Sequence, residues 1–459
     1  MRNTRQSAVA GLALLVGLFG EAAALHKPYL RRPAPTGAVR ATAPIFAVLA
    51  NPVSSPRRIL DGPDLAERED LPGLSGLNGK AMLVEKSDVP SKGAIRNVVP
   101  AHCYVKDTKR SLKYAAISLV EGAACLALGF LIPMKLAFLP LWFLYAAVTG
   151  CVWTGMWVIA HECGHNAFSN NKLIQDGVGY LFHSLLLVPY FSWQHSHAVH
   201  HQHTNHITKG ETHVPFVIGG REGIELPGGE HMMATARAFV SVLGERVGKG
   251  VHAVMQTFFH LVFGWPAYLL FGATGGPKYG LSNHFIPAKP FSKVLWPGKW
   301  VSKVWQSDLG VVAMLGFLWA MARRFGGWSV AALYVGPLLF TNCWLVGYTW
   351  LQHTDVDVPH LTDEEWTYMR GALLTIDRPY GKLLDHLHHQ IGSTHVAHHV
   401  DSMIPHYHAR EATDAIAKHF PKCYLFDPTP IHEALWRVSR DCVAVKLRPH
   451  DGRYTWAKF

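Results

Sequence analysis

Nine histidines in this chain stand at spacings that gather imidazole rings onto one face of a helix. His161 and His165 read H-x-x-x-H, while His197, His200 and His201 read H-x-x-H-H. His395, His398 and His399 repeat that second pattern, and His353 stands at the foot of an apolar segment. Neutral imidazole is the commonest nitrogen ligand of iron, copper and zinc. Residues three and four apart on a helix are neighbours, so each box aims its rings at a common point. With 29 His in 459 residues, random placement would give roughly 0.1 copies of H-x-x-H-H. Two are present. The pattern predicts a metal centre.

The first box also satisfies H-E-x-x-H, the zinc protease signature, with Glu162 in the place of the base. One catalytic zinc needs only three protein ligands and a water, so both H-x-x-H-H boxes and His353 would then have no task. A histidine-rich zinc transporter would hold its ligands mid-membrane on several spans, whereas these boxes fall at span ends and in polar segments. Eight or nine imidazoles suit two metal ions with four or five ligands each. Isolated histidines such as His183 and His260 read as hydrogen-bonded packing groups. His203, His206, His386, His388 and His389 read as surface or supporting residues. Cys163 lies two residues from each ligand of its box and points elsewhere.

The elements that must position these residues are apolar. Hydrophobic residues make up 49% of the chain, charged ones 16%, and the mean hydropathy is +0.10. This fits several membrane-embedded helices with a sizeable polar part. The seven Cys are scattered without a C-x-x-C, so neither a disulfide framework nor a zinc ribbon is indicated. Net charge is +11, but residues 1–60 hold eight cationic residues against Glu21 alone. The remainder shows no basic stripe, which argues against nucleic acid as a partner.

Four stretches are expected to span: 115–132, 136–159, 309–322 and 330–351. The first two are parted by Pro133 and Lys135 into a tight hairpin, and the third would rely on Arg323 and Arg324 reaching the surface. Residues 177–191 are too short to cross. Residues 251–271 contain His252, Gln256, His260 and Pro266 and read as interfacial. Parity supports this choice, because all nine histidines share one site only if an even number of crossings separates the boxes. The chain is thus expected to be an all-α integral membrane protein, with four spans and a helical cap on one side carrying the histidines.

At the N-terminus, Arg2 and Arg5 precede an apolar run from Val9 to Phe19 and then Ala22, Ala23 and Ala24, the layout of a signal peptide. The Arg/Pro/Ala-rich stretch after it is similar to a transit peptide. Residues 1–60 are therefore read as a two-part targeting leader favouring a plastid, with the endoplasmic reticulum as the alternative. Residues 61–95 read as a linker, 96–428 as the membrane domain and 429–459 as a tail.

The ordered motifs from about Asp88 to Pro428 resemble the membrane fatty acyl desaturase family, in its methyl-end group that inserts Δ12 or ω3 double bonds. They are Pro100-Ala-His-Cys-Tyr104, His161-Glu-Cys-Gly-His-Asn-Ala-Phe-Ser169, His183-Ser-Leu-Leu-Leu-Val-Pro-Tyr-Phe-Ser-Trp193 and Ser196-His-Ala-Val-His-His201. Leu351-Gln-His-Thr354, Arg370-Gly-Ala-Leu373, Ile376-Asp-Arg-Pro-Tyr-Gly381, Ser393-Thr-His-Val-Ala-His-His399 and Pro405-His-Tyr-His-Ala409 follow.

The resemblance implies a diiron centre on the cytosolic or stromal face, with His161, His165, His197, His200, His201, His353, His395, His398 and His399 as its ligands. An unactivated methylene C–H cannot be removed by a side-chain base, so a redox metal and O2 are required. Glu162, Asp401 and Glu411 are expected to accept hydrogen bonds from the second ring nitrogens. The substrate would be an acyl chain on a lipid or on coenzyme A. No His-Pro-Gly-Gly haem motif occurs in the chain, so electrons would come from a separate donor: ferredoxin in a plastid, cytochrome b5 in the reticulum. A hydroxylase, acetylenase or conjugase on the same scaffold is the alternative activity. Two features depart from the family pattern. His195, His203 and His206 crowd the second box. Tyr454-Thr-Trp-Ala-Lys-Phe459 approaches a reticulum retrieval signal, with its aromatic one place out of register. The first box with Glu162 leans towards Δ12 regiochemistry.

Overall fold

The computed structural model describes residues 76–219, 228–448 and 450–458, all within one compact unit from Asp70 to Phe459. The leader read at 1–60 lies outside the described residues. Among the described residues sixteen helices follow one another, and the longest carry the fold. Two short helices, α1 (Lys80–Leu83) and α2 (Lys92–Val98), precede α3 (Thr108–Gly129) and α4 (Leu139–Gly164). Asp107 caps α3 by accepting from the backbone N–H of Lys109 and Arg110. Pro140 sits in the first turn of α4, where a missing N–H costs nothing.

Next come α5 (Lys172–Leu185), capped by Asn171, and α6 (Tyr190–Gln202). They are followed by α7 (Gly229–Leu243), α8 (Glu245–Phe271) and α9 (Trp300–Phe325). The short α10 (Gly327–Val330) runs through a π turn at Ala331–Val335 into α11 (Gly336–His353). The remaining helices are α12 (Tyr368–Leu373), α13 (Gly381–Leu387), α14 (His395–Val400), α15 (His406–His419) and α16 (Ile431–Asp441).

Among the described residues five helical stretches are long and apolar enough to cross a membrane: 108–129, 136–164, 245–271, 300–325 and 327–353. Sequence alone gives four. The stretch expected at 309–322 is the apolar half of a 26-residue helix whose first turns carry Lys303 and Asp308. The stretch at 177–191, expected not to cross, is a helix–turn–helix, the end of α5 and the start of α6. Outward-facing Leu119, Val120, Leu128, Leu139, Phe143, Leu309, Val312 and Trp319 are exposed on α3, α4 and α9, an apolar surface that fits lipid rather than water. Along α4 that exposure ends abruptly, and residues 152–163 are all buried. α4 meets α11 at Gly150, where an added Cβ would lie 2.5 Å from both Phe340 Cβ and the Pro337 carbonyl. Thr341 Oγ1 donates to the Gly150 carbonyl at 3.1 Å across the same crossing.

The fold is helical, as expected, with a small sheet beside the helices. A small four-stranded sheet, β1 (Val217–Ile218), β2 (His360–Leu361), β3 (Val445–Arg448) and β4 (Arg453–Trp456), has the order β1-β3-β4-β2. β3 and β4 form an antiparallel hairpin, β2 pairs antiparallel with β4, and β1 pairs parallel with β3. The stretch expected as a tail thus holds α16 and half of a sheet. Its core residues include Val438, Val445, Tyr454 and Trp456. The described part of the expected linker is also folded, with Leu77, Ala81, Met82 and Val84 buried.

A largely buried charged cluster braces the foot of α11. Arg378 pairs with Asp355 at 2.6 Å and with Asp427, and all three side chains are fully buried. Arg437 of α16 lies 2.7 Å from Asp355 and 2.6 Å from Asp427. Arg378 Nε also donates to the Leu351 carbonyl at 3.1 Å, two residues before His353. Two cations against two anions leave no net charge, which is the condition for burying them. Arg378→Met removes one cation and strands a carboxylate. The expected loss is about 3–5 kcal/mol, read as a lowered unfolding temperature in detergent beside a surface control such as Lys382→Met.

Candidate metal centre

The three boxes occupy helix ends. His161 lies in the last turn of α4 with His165 just after it, and His197, His200 and His201 lie on α6. His353 ends α11, and His395, His398 and His399 lie on α14. The structure brings all nine together in two groups. In one, Nε2 atoms form a chain: His165 to His161 at 3.2 Å, His161 to His197 at 3.1 Å, His197 to His201 at 3.2 Å and His201 to His398 at 3.1 Å. In the other, His353 Nε2 lies 3.2 Å from His200 Nε2 and 3.1 Å from His395 Nε2. His399 joins His200 and His353 with donor atoms within 4.8 Å of one another, and its buried Nε2 has no hydrogen-bond partner.

These spacings fit metal coordination. Ligand nitrogens ~2.0–2.1 Å from an ion and roughly 90–120° apart around it lie about 3–3.5 Å from each other. Side-chain hydrogen bonding alone would not converge so many Nε2 atoms. Burial, and then the neighbouring imidazoles, hold His165, His197, His201, His395 and His399 well below the usual histidine range. Burial does the same to His398 and pushes His200 down to about 3. At neutral pH these rings are uncharged, with lone pairs free for a cation. Five and four imidazoles with no carboxylate or thiolate suit iron-type redox ions better than calcium or magnesium.

Around this centre the expected acceptors divide. Glu162 Oε1 lies 3.4 Å from His161 Nδ1 without forming a hydrogen bond to it, and Oε2 accepts the His406 backbone N–H at 2.9 Å. It therefore links α4 to α15 beside the first box. Asp401 and Glu411 do not serve the rings. Arg96, at 2.7 Å, and Lys92 claim Asp401, and His102 claims Glu411 at 2.7 Å on the surface. Both follow the third box in sequence, but the chain turns after Val400 and carries them away from it. The Nδ1 atoms of His161, His200, His201, His353 and His395 find no hydrogen-bond partner among the described residues.

Two supporting groups are not evident from the boxes. Thr204 Oγ1 lies 3.1 Å from His399 Nδ1 and donates to the His200 carbonyl at 2.9 Å. That geometry keeps Nε2 of His399 as the free lone pair. Thr204 is four residues after His200, so helical spacing held a signal for it. Asp377 Oδ1 accepts the Val396 N–H at 2.9 Å, and Oδ2 accepts from Tyr424 at 2.9 Å. It caps α14 from outside, a role that sequence spacing cannot show. His213, at φ 58°, stacks on His353 with ring centroids 4.9 Å apart.

The histidines crowding the second box are engaged elsewhere. His195 stacks on Trp300 at 4.1 Å, His203 on Trp366 at 5.7 Å, and His206 bonds Asp363 at 2.6 Å. His388 bridges Tyr348 and the Cys151 carbonyl, and His260 stacks on Trp350. His183 is buried among Trp157, Tyr190 and Trp193, and neither ring nitrogen has a hydrogen-bond partner among the described residues.

Residues 136–429 match the sequence profile of the family described as "Fatty acid desaturase". A "Delta(12)-fatty-acid desaturase" of Arabidopsis thaliana is 38% identical over 361 residues, 78% of this chain and 88% of that protein. A "Delta(12) fatty acid desaturase" of Mortierella alpina is 41% identical over 357 residues, 76% of this chain and 86% of its own. An "Omega-6 fatty acid desaturase, endoplasmic reticulum isozyme 2" of Glycine max is 38% identical over 361 residues, with 78% and 88% covered.

The Asp377 cap makes a measurable demand on the third box. Asp377→Ala frees the N–H groups at the start of α14 and should cost about 1 kcal/mol, with a lower content of retained metal in the purified protein. Asp377→Asn keeps an acceptor oxygen there and should retain metal as the parent does. Metal analysis of both variants, beside circular dichroism to confirm equal helix content, distinguishes positioning from general unfolding.

Proposed function

The chain belongs to the fatty acid desaturase family and is a membrane enzyme that desaturates fatty acyl chains; we propose that it inserts the Δ12 double bond of an oleoyl-type chain, using two iron ions and O2. The convergence of nine neutral imidazoles on two points carries the metal reading, and the Δ12 relatives support the regiochemistry. His161, His165, His197, His201 and His398 would hold one iron, and His200, His353, His395 and His399 the other. When bound, the iron pair supplies the redox chemistry with O2 that an unactivated methylene requires. The protein's own part is positional. Thr204 fixes the tautomer of His399, Glu162 joins the first box to α15, and Asp377 anchors α14. Trp157, 5.5 Å from His161, and Trp193, stacked on His197 at 4.5 Å, wall one flank and keep water from it.

Two electrons per turnover would come from a separate donor, ferredoxin or cytochrome b5 according to the compartment. The leader at 1–60 favours a plastid, while the printed name of the soybean relative favours the reticulum. Retrieval through Tyr454 and Trp456 has little support, because both side chains are buried in the sheet, 2% and 8% exposed.

The four-span reading also has support. α8 packs on α16, whose Arg437, Arg440 and Asp441 belong outside lipid. Gln256 Nε2 donates to the Cys442 carbonyl at 3.2 Å, and Thr257 to Ser439 at 2.7 Å. That makes α8 an interfacial helix, with α3, α4, α9 and the helix through α11 crossing. All three boxes and His353 then share the cytosolic or stromal face.

Expression in a yeast-like host that makes oleate but no linoleate tests the activity. The wild type should yield linoleate on gas chromatography of methyl esters, and His200→Ala should yield none. Conversion of supplied linoleate to α-linolenate without action on oleate would overturn the Δ12 assignment, and a hydroxylated product would overturn desaturation as its chemistry.

Topology is read with an impermeant thiol reagent. Single cysteines at Glu245 and Lys278, flanking α8, should label from the same side as one at Lys209. Labelling of Glu245 and Lys278 from opposite sides would make α8 a fifth span.

A further inference from the structure

Three residues of the Pro100–Tyr104 and Pro405–Ala409 motifs stand apart from the nine-histidine centre and meet one another. His102 and Cys103 lie on the single 3-10 turn Ala101–Tyr104 that leads into α3. His408 and Glu411 are three apart on α15 and so share a face. His102 Nε2 lies 2.7 Å from Glu411 Oε2, and the rings of His102 and His408 meet edge to face at 5.3 Å. Cys103 is fully buried against the Glu411 carboxylate. One donor atom from each of the four lies within 4.8 Å of the others.

We propose that His102, Cys103, His408 and Glu411 form a third metal site, of the tetrahedral zinc class, which staples the segment before α3 to the helix behind the third box. The donor set is one thiolate, two imidazoles and one carboxylate, which selects a borderline-soft divalent ion over calcium or magnesium. Ligand atoms of tetrahedral zinc sit roughly 3.3–3.8 Å apart, given Zn–N of ~2.0–2.1 Å and Zn–S of ~2.3 Å. Closing the cluster therefore needs about 1 Å of side-chain movement. His102 and Glu411, with half-exposed side chains, have the freedom to make it. Four coordinated ligands leave no open position, so the site is structural. It ties the start of α15 to the segment before α3, apart from the nine-histidine centre.

Cobalt(II) replaces zinc and reports sulfur ligation by a thiolate-to-metal band in the near ultraviolet. The nine-histidine centre holds no sulfur, so the band reads this site alone and is independent of iron or turnover. The full-length protein purified in detergent and titrated with Co2+ should show the band, and Zn2+ should abolish it. Cys103→Ser should lose it. His408→Asn and Glu411→Gln change exposed or half-buried side chains that the fold tolerates, and both should weaken or lose it. Zinc in the protein as isolated should fall from a single ion per chain to background in Cys103→Ser and His408→Asn, with iron unchanged. Absence of the band in the wild type, or its survival in Cys103→Ser, would overturn the site. So would equal zinc content in all variants, or loss of iron together with zinc.

Discussion

Nine imidazoles can share so small a volume only while each stays neutral, with one ring nitrogen protonated and the other bare. A single cationic ring among eight others, shielded from water, would meet both desolvation and repulsion from any second charge. The structure meets that constraint by enclosure. The upper half of α4, the whole of α14 and the foot of α11 are buried, so the charged form of each ring is disfavoured before any ligand arrives. Enclosure has its own demand: the polar groups that fix the segments must be satisfied without water. Asp377, Thr204 and Glu162 do this for the boxes. The Arg378–Asp355–Asp427–Arg437 cluster does it for the segments below them.

The boxes themselves were open to sequence reading because helical spacing and histidine chemistry are both local. His197, His200 and His201 sit on one helix turn wherever that helix packs. Directions beyond the helix end were not local. Asp401 lies two residues after His399, yet the turn after Val400 swings its carboxylate to Arg96. Glu411 lies on the next helix and faces the surface. Asp377 reaches α14 from eighteen residues upstream of His395, through a turn that no periodicity marks. Hydropathy likewise found the lipid-facing part of α9 and missed its polar first turns, because only the apolar half of a helix stands out in a window.

The sheet escaped for another reason. β1 and β2 are two residues each, too short for an alternating pattern to register. The hairpin of β3 and β4 did carry a signal, the Asp451-Gly452 pair, with Gly452 at φ 65°. Charged residues flank it on both sides, from Lys446 and Arg448 to Arg453, and leave the apolar alternation short. In the fold, Tyr454 and Trp456 turn inward on the core below His353's helix, packing with Trp350 and Leu351.

Those strands also impose an order on biogenesis. β2 follows His353 by seven residues, and β1 follows the second box by sixteen, but their partners β4 and β3 come after every other part of the site in chain order. β2 is also tied directly to the second box's loop, with the Ile207 N–H bonded to the Leu361 carbonyl and the Leu361 N–H to that of Asn205. As the polypeptide emerges from a ribosome into the membrane, the helices can insert one by one. The loops that follow the second box and His353 can pair into the sheet only once residues 445–456 are present. The last residues in chain order thus complete the sheet that joins the loop after the second box to the loop after His353.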